Sequence, residues 1–508
     1  MFEGQPKGLF ALALANTGER FGYYTMLAVF ALFLRANYGL SPALAGTIYS
    51  SFLMFVYFVP LIGGIMADKF GFGRMVTTGI IIMFAGYLLL SVPLGGDSLA
   101  LVVMLGALLL IGFGTGLFKG NLQVMVGDLY NDPKYADKRD SGFSIFYMAI
   151  NIGALFAPTA AIKIKEYAET ALGYSSNDAY HFSFAVACAS LILSIAIYYI
   201  FRSTFRHTEG GKKTAAKSEE TPAEELSKDE TKQRIVALCL VFAVVIFFWM
   251  AFHQNGLSLT YFADEFTAQS ADGVQAMCFN VWNLVAIIFI VYAGFSLFQS
   301  KTSKGKAISA AVIVVALAFL FLQYNPDGSI SVSAPIFQQF NPFYVVALTP
   351  VSMAIFGSLA AKGKEPSAPR KIAYGMIVAA IAYALMAIGS LGLPMPQTEL
   401  VDGEPVAKHV ADVTPNLLIT VYLVLTFGEL LLSPMGISFV SKVAPPKYKG
   451  MMMGGWFVAT AIGNQLVVVG GLLWGAGPLW VCWSVFLAVC LIAAVFMFAM
   501  MKRLEKVC

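Results

Sequence analysis

Five ionisable side chains stand where a lipid bilayer would have to surround them. Glu19 and Arg20 lie in the apolar stretch 9–34, Lys119 in 99–126, His253 in 234–262 and Glu429 in 414–438. Burying such a group in hydrocarbon costs about 2.5–3.5 kcal/mol on insertion scales, so each needs a partner or a water-filled cavity. An acid beside a base is the cheapest way to keep either charged in a low dielectric. Ionic glue between helices would use the same residues, but two acids and two bases on three separate stretches exceed what packing needs. Asn16, Glu19 or Arg20, Tyr23 and Leu27 share one helix face at i, i+3/4, i+7 spacing, and that face is expected to line a cavity.

The elements that must position these groups follow from composition. Of 508 residues, 58% are hydrophobic and only 12% charged, against about 25% charged in soluble domains. About 20 apolar residues span a bilayer. Fourteen stretches qualify: 9–34, 43–66, 75–94, 99–126, 142–162, 182–202, 234–262, 277–298, 306–324, 341–361, 371–392, 414–438, 451–474 and 478–501. The reading is an all-α membrane protein of about fourteen helices. No short apolar region precedes a cleavage site, so no removable signal peptide is expected.

Basic residues sort strongly by loop. Lys69 and Arg74, Lys134 to Arg139, Lys301 to Lys306, Lys362 to Lys371, Lys442 to Lys449 and Lys502 to Lys506 all fall on one side, which predicts cytoplasmic N- and C-termini in a cell (inner) membrane. The net charge of +4 reflects this sorting; the bilayer is the expected partner and nucleic acid is not.

Residues 203–233 are polar and of mixed charge, a linker that divides six spans (1–202) from eight (234–508). Two-bundle secondary transporters have this layout, with a site at the bundle interface. The six cysteines read as small packing residues and the four histidines form no metal-ligand pattern. No nucleophile–base–orienter set and no phosphate loop is visible, so neither enzymatic activity nor a cofactor is expected.

Eight ordered motifs resemble the proton-dependent oligopeptide transporters, a branch of the major facilitator superfamily. "ERFGYY" (19–24) resembles the family's E-x-x-E-R-F-x-Y-Y, and "VYFVPLIGGIMAD" (56–68), "GTGLFKGN" (114–121) and "FSIFYMAINIGAL" (143–155) resemble its second, fourth and fifth helices. "FFWMAFHQNG" (247–256), "NPFYVVALTP" (341–350), "TFGELLLSPMG" (426–436) and "MGGWFVATAIGN" (453–464) resemble the seventh, eighth, tenth and eleventh.

The resemblance implies two six-helix bundles plus two extra helices, importing di- and tripeptides with protons by alternating access. It implies Arg20 and Lys119 on the substrate carboxylate, and Glu429 on its amine, paired with Lys119 when the site is empty. It implies Tyr23, Tyr24, Tyr57, Asn151 and Asn341 on the peptide backbone, and Trp249 and Trp456 shaping side-chain pockets, although packing alone would also account for a buried tryptophan. Asp68 and Arg74 in "GGIMADKFGFGR" (63–74) resemble a gating loop or form a plain tight turn.

Three positions depart from the family pattern: Asn16 for its first Glu, Leu27 for an Arg, and His253 for a Glu on the seventh helix. The joint loss of that Arg and Glu leaves neither unpaired. Coupling then falls to Glu19, Glu429 or His253, whose reference pKa near 6.5 suits a proton switch; His253 also reads as a neutral, hydrogen-bonded helix residue. Another zwitterion or anion as cargo, an uncoupled facilitator and a nutrient receptor remain open. The extra pair at 277–324, with Asn280, Trp282 and Asn283, suggests a peripheral, lipid-packed hairpin.

Overall fold

Helix starts are set by short polar caps and prolines at the edges of the apolar stretches. Ser41 accepts from Leu44 N at 3.2 Å with Pro42 in the first turn, and Asp97 accepts from Ala100 N at 2.8 Å. Ser175, Ser227, Thr302 and Ser367 act likewise. Each hydroxyl or carboxylate satisfies a backbone N–H that the first turn leaves orphaned.

A computed structural model describes residues 4–210, 226–401, 404–445 and 448–507, without the side chains of residues 68, 137, 139–141, 404, 441, 449 and 450. The long helices are α1 (Lys7–Tyr38), α2 (Pro42–Phe70), α3 (Phe72–Ser91), α4 (Ser98–Asp128), α5 (Arg139–Thr170), α6 (Ser176–Ile200) and α7 (Lys228–Phe252). They continue with α8 (Val281–Gln299), α9 (Ser303–Gln323), α10 (Phe340–Ala361), α11 (Ala368–Gly389), α12 (Pro415–Val443), α13 (Lys449–Gln465) and α14 (Leu479–Glu505). Among the described residues thirteen segments are long and apolar enough to cross a membrane; α1, of 32 residues, is the further long helix. This is the major facilitator arrangement: α1–α6 form one bundle, α7 and α10–α14 the other, and α8–α9 are the extra pair.

Within each bundle, glycines let backbones touch. A Cβ on Gly79 of α3 would lie 2.6 Å from the Gly114 carbonyl oxygen of α4. The equivalent crossing in the second bundle puts a Cβ on Gly375 of α11 2.9 Å from the Gly428 carbonyl oxygen of α12. Without a hydrophobic drive between helices in lipid, such close contact supplies the attraction.

The α7 span does not run straight. It breaks into a 3-10 turn at His253–Gly256, then resumes as a short helix, Ser258–Glu265. Backbone groups freed inside a membrane must find partners. The Asn255 carbonyl accepts from Thr260 Oγ1 at 2.8 Å and Tyr422 Oη at 3.0 Å, and Gln254 Nε2 donates to the Met250 and Val467 carbonyls at 3.2 and 3.0 Å.

The extra pair differs slightly from the apolar stretches 277–298 and 306–324, because Asn280 and Thr302 cap α8 and α9. A two-stranded antiparallel ribbon, β1 (Ser270–Asp272) with β2 (Ser329–Ser331), ties its entry to its exit. Trp282 lies edge-on to Phe156 of α5 at 5.3 Å, and Tyr292 Oη donates to the Val346 carbonyl at 3.1 Å. The outer face of α9 is bare, with Phe321 and Leu322 78% and 83% exposed. Beyond α6, residues 202–209 fold back against the first bundle, where Arg202 grips Glu209 and Phe205 is fully buried. Residues 211–225 of the expected linker lie outside the described residues.

Candidate functional site

Helix α1 brings Asn16, Glu19, Tyr23 and Leu27 onto one buried face, as the spacing predicts. Glu19 and Arg20 are 1% and 2% exposed, and both carboxylate oxygens of Glu19 accept from the Arg20 guanidinium. The guanidinium also lies 4.5 Å from the centre of the Tyr23 ring, which is edge-on to Tyr24 at 5.2 Å. Arg20 is therefore not a free cation facing a cavity; it is neutralised by its neighbour and covered by an aromatic face.

Lys119 and Glu429 come from different bundles, on α4 and α12. Lys119 Nζ sits 4.1 Å from the centre of the Tyr57 ring of α2. Glu429 is 8% exposed, and its Oε2 accepts from Asn341 Nδ2 at 2.9 Å. The same amide donates to Thr426 Oγ1 at 3.0 Å. The expected Lys119–Glu429 pair is not among the described ion pairs of this conformation. In this conformation an aromatic face engages the ammonium and an amide engages the carboxylate instead.

Tyr57 is the hub, since the His253 ring lies 6.3 Å from it on the side of the second bundle. His253 stacks on Trp249 at 5.0 Å, and its Nδ1 bonds Asn464 Oδ1 of α13. Trp456 is buried in a notch: a Cβ on Gly436 of α12 would lie 2.1 Å from its ring. Asn151 Nδ2 donates to the Tyr147 carbonyl of its own helix at 3.1 Å, which leaves its second N–H and its Oδ1 for other partners. Arg74 is exposed, and the Asp68 side chain lies outside the described residues.

Sequence reading missed three features. Thr426 shares the Asn341 amide with Glu429; only its one-turn spacing from Glu429 hinted at it. Asn464 anchors His253, and its place at the end of the eleventh-helix motif was the only signal. The largest omission is Glu265, just past the apolar stretch that ends at 262. Its carboxylate accepts from Arg35 Nη1 at the end of α1 and from Trp474 Nε1 at 3.3 Å. Arg35 in turn lies 4.5 Å from the Tyr261 ring. Around this pair the bundles meet at the end remote from the chain termini. A Cβ on Gly46 would lie 3.2 Å from Gly471 Cα, Tyr261 Oη donates to the Pro42 carbonyl at 3.4 Å, and Gln465 Nε2 reaches Ser50 Oγ at 3.3 Å.

Two packed bundles of membrane-length apolar helices define a multi-pass membrane protein of the major facilitator fold. The POT family model matches residues 73–223 and 310–470, more than half of the chain, and the chain belongs to that family. It is 28% identical over 488 residues to the uncharacterized transporter YclF of Bacillus subtilis, covering 92% of this chain and 87% of that one. It is 27% identical over 498 residues to a di-/tripeptide transporter of Lactococcus lactis, covering 92% and 89%. A crystal structure of the peptide transporter POT in complex with sulfate has the same fold, with TM-score 0.72 at 24% identity, covering 100% of this chain and 96% of that one.

Proposed function

We propose that the protein is a proton-coupled symporter that imports di- and tripeptides by alternating access across a bacterial cytoplasmic membrane. The carrying observation is the placement of Lys119 and Glu429 on opposite bundles, each held by a neutral partner that a charged ligand can replace. The names of the relatives support peptides as cargo. Lys119, with Arg20 behind it, receives the peptide carboxylate, and Glu429 the amine. Tyr23, Tyr24, Tyr57, Asn151 and Asn341 border the peptide backbone, while Trp249 and Trp456 shape its side-chain pockets. Asn341 positions Glu429 as well.

Residues 1–202 and 234–508 form the two rocking units, joined by 203–233, and 277–324 travels with the second. Both termini are cytoplasmic. The Arg35–Glu265 clasp then closes the outer mouth in this conformation. Asp68 and Arg74 latch the inner mouth in the opposite state. Protons act through Glu19, Glu429 and His253. Protonating Glu429 releases the amine, and protonating Glu19 frees Arg20 for the carboxylate.

The test is uptake of labelled dialanine into proteoliposomes with and without an inward proton gradient. Gradient-driven accumulation, lost in Glu19→Gln and Lys119→Ala, is the expected result; no uptake by wild type rejects the reading. Asn16, at a position the family fills with an acid, favours a second reading as an uncoupled facilitator. Equilibration without accumulation would establish that one.

A further inference from the structure

Two buried N–H groups beside His253 have no acceptor among the described residues: Trp249 Nε1 and Asn464 Nδ2. Trp249 is 8% exposed and Asn464 fully buried. They belong to one cluster, since His253 stacks on Trp249 and bonds Asn464 Oδ1. That bond uses the oxygen of the Asn464 amide and turns its two N–H bonds elsewhere. A buried donor without an acceptor is costly, so native sites keep one for something that supplies an acceptor.

Lys119 is the charged group whose field reaches His253. His253 is only partly buried and connects it to the rest of the site, where its ring and the Lys119 ammonium approach the same Tyr57 ring at 6.3 and 4.1 Å. The other ring contacts made by Trp249 and His253 are to Phe248 and Phe252. Two spare donors, an imidazole and a nearby ammonium form a pocket that repels a basic side chain and leaves an aliphatic one facing unmet polar groups. A carboxylate or primary amide satisfies it.

We propose that Trp249, His253 and Asn464 form a side-chain subsite that selects peptides bearing Asp or Glu, and next their amides, with Asn464 as the specificity-determining residue. The proposal rests on the peptide reading above and adds the class of peptide. Asn464 Nδ2 and Trp249 Nε1 donate to the side-chain carboxylate, while His253 holds the Asn464 amide in the donating orientation.

Competition against labelled dialanine uptake in proteoliposomes tests it, with unlabelled Ala-Glu, Ala-Gln, Ala-Leu and Ala-Lys. In wild type Ala-Glu half-inhibits at the lowest concentration, then Ala-Gln, with Ala-Leu and Ala-Lys weakest. Asn464→Leu erases an Ala-Glu advantage of about tenfold or more, the scale of one lost charge-assisted hydrogen bond. Each ranking is normalised to the same variant's own dialanine uptake, so a change in overall rate from loss of the His253 anchor does not enter the comparison. Asn464→Asp shifts the ranking from Ala-Glu to Ala-Lys and gives an independent reading should the leucine variant fold poorly. An unchanged ranking in either folded variant, or a wild type preferring Ala-Leu, overturns the proposal while leaving peptide transport intact. A wild type that carries no dialanine removes the peptide reading, and this inference with it.

Discussion

Arg35 and Glu265 are 230 residues apart in sequence, yet they form a buried ion pair between the end of α1 and the end of the α7 span. Trp474 and Tyr261 cover it. Removing one partner of such a pair costs about 3–5 kcal/mol, because the other charge stays buried alone. In Glu265→Gln the cost falls on this closed conformation and shifts the balance toward opening at that end by about a hundredfold to several thousandfold. Spin labels at Leu44→Cys and Leu472→Cys, both exposed at that end, should report a longer distance in a cysteine-free background. The swap Arg35→Glu with Glu265→Arg should restore the short distance. If Glu265→Gln leaves it unchanged, the pair is not a clasp.

His409 adds a pH-dependent strap to the same region. Its loop is laced to the end of the α7 span, with Val410 N donating to the Glu265 carbonyl and Val413 N to the Phe266 carbonyl, both at 2.8 Å. The ring bonds the Asp264 carbonyl through Nδ1 and the Asp412 carboxylate through Nε2, each at 3.0 Å. Partial burial opposes the charged ring, but these two oxygens outweigh it and raise its pKa above the ordinary histidine value. A raised pKa contributes stability that is full below the unfolded value and lost as pH rises through the folded one. The pair is well exposed, so the contribution is on the order of a few tenths to 1 kcal/mol. The melting temperature of wild type minus that of His409→Gln should be positive at pH 5 and shrink toward pH 8. A flat difference would show that the ring's charge does not matter.

Asn341 is expected to act through Glu429. Its amide donates to the carboxylate at 2.9 Å and to Thr426 at 3.0 Å, and hydrogen bonds to charged groups contribute about 1.5–3 kcal/mol. Asn341→Leu should therefore lower the Vmax/KM of peptide uptake by about ten- to a hundredfold. It should also move the pH profile of uptake, which a purely packing role would leave in place. Asn341→Ser, which keeps a donor, should recover part of both.

The fold was largely legible because span length is a direct reading of hydrocarbon thickness, and fourteen apolar stretches became fourteen long helices. The break at His253–Gly256 was less visible, since polar Gln254 and Asn255 sit in an apolar run and find their partners 150 or more residues away. The residues of the site were legible one by one, from the cost of burying charge. Their pairing was not. Glu19 and Arg20 meet because they are adjacent, but whether Lys119 meets Glu429 or Tyr57 depends on the conformation of two bundles, which local sequence does not record. The Arg35–Glu265 pair was not legible, because Arg35 lies just beyond the stretch that ends at 34 and Glu265 beyond the one that ends at 262. The bond from Asn151 to its own preceding turn is one that an asparagine inside a helix can make, and nothing in its spacing marked it.

Helix crossings give a test that does not depend on cargo. The backbones of α3 and α4 touch at Gly79 and Gly114, where an added Cβ would lie 2.6 Å from a carbonyl oxygen. A backbone atom cannot move aside as a flexible side chain can, so a larger residue must push the helices apart. Overpacking of this kind costs about 1–3 kcal/mol. Gly64 on α2 is a matched control, since nothing lies within 4 Å of its added Cβ. Gly79→Leu should lower the melting temperature of the purified protein by several degrees, and Gly375→Leu should do the same in the second bundle, while Gly64→Leu stays near wild type. Both bundles should respond, because the two crossings are equivalent. Equal losses at all three positions would mean that helix propensity or lipid exposure, and not backbone contact, governs these glycines.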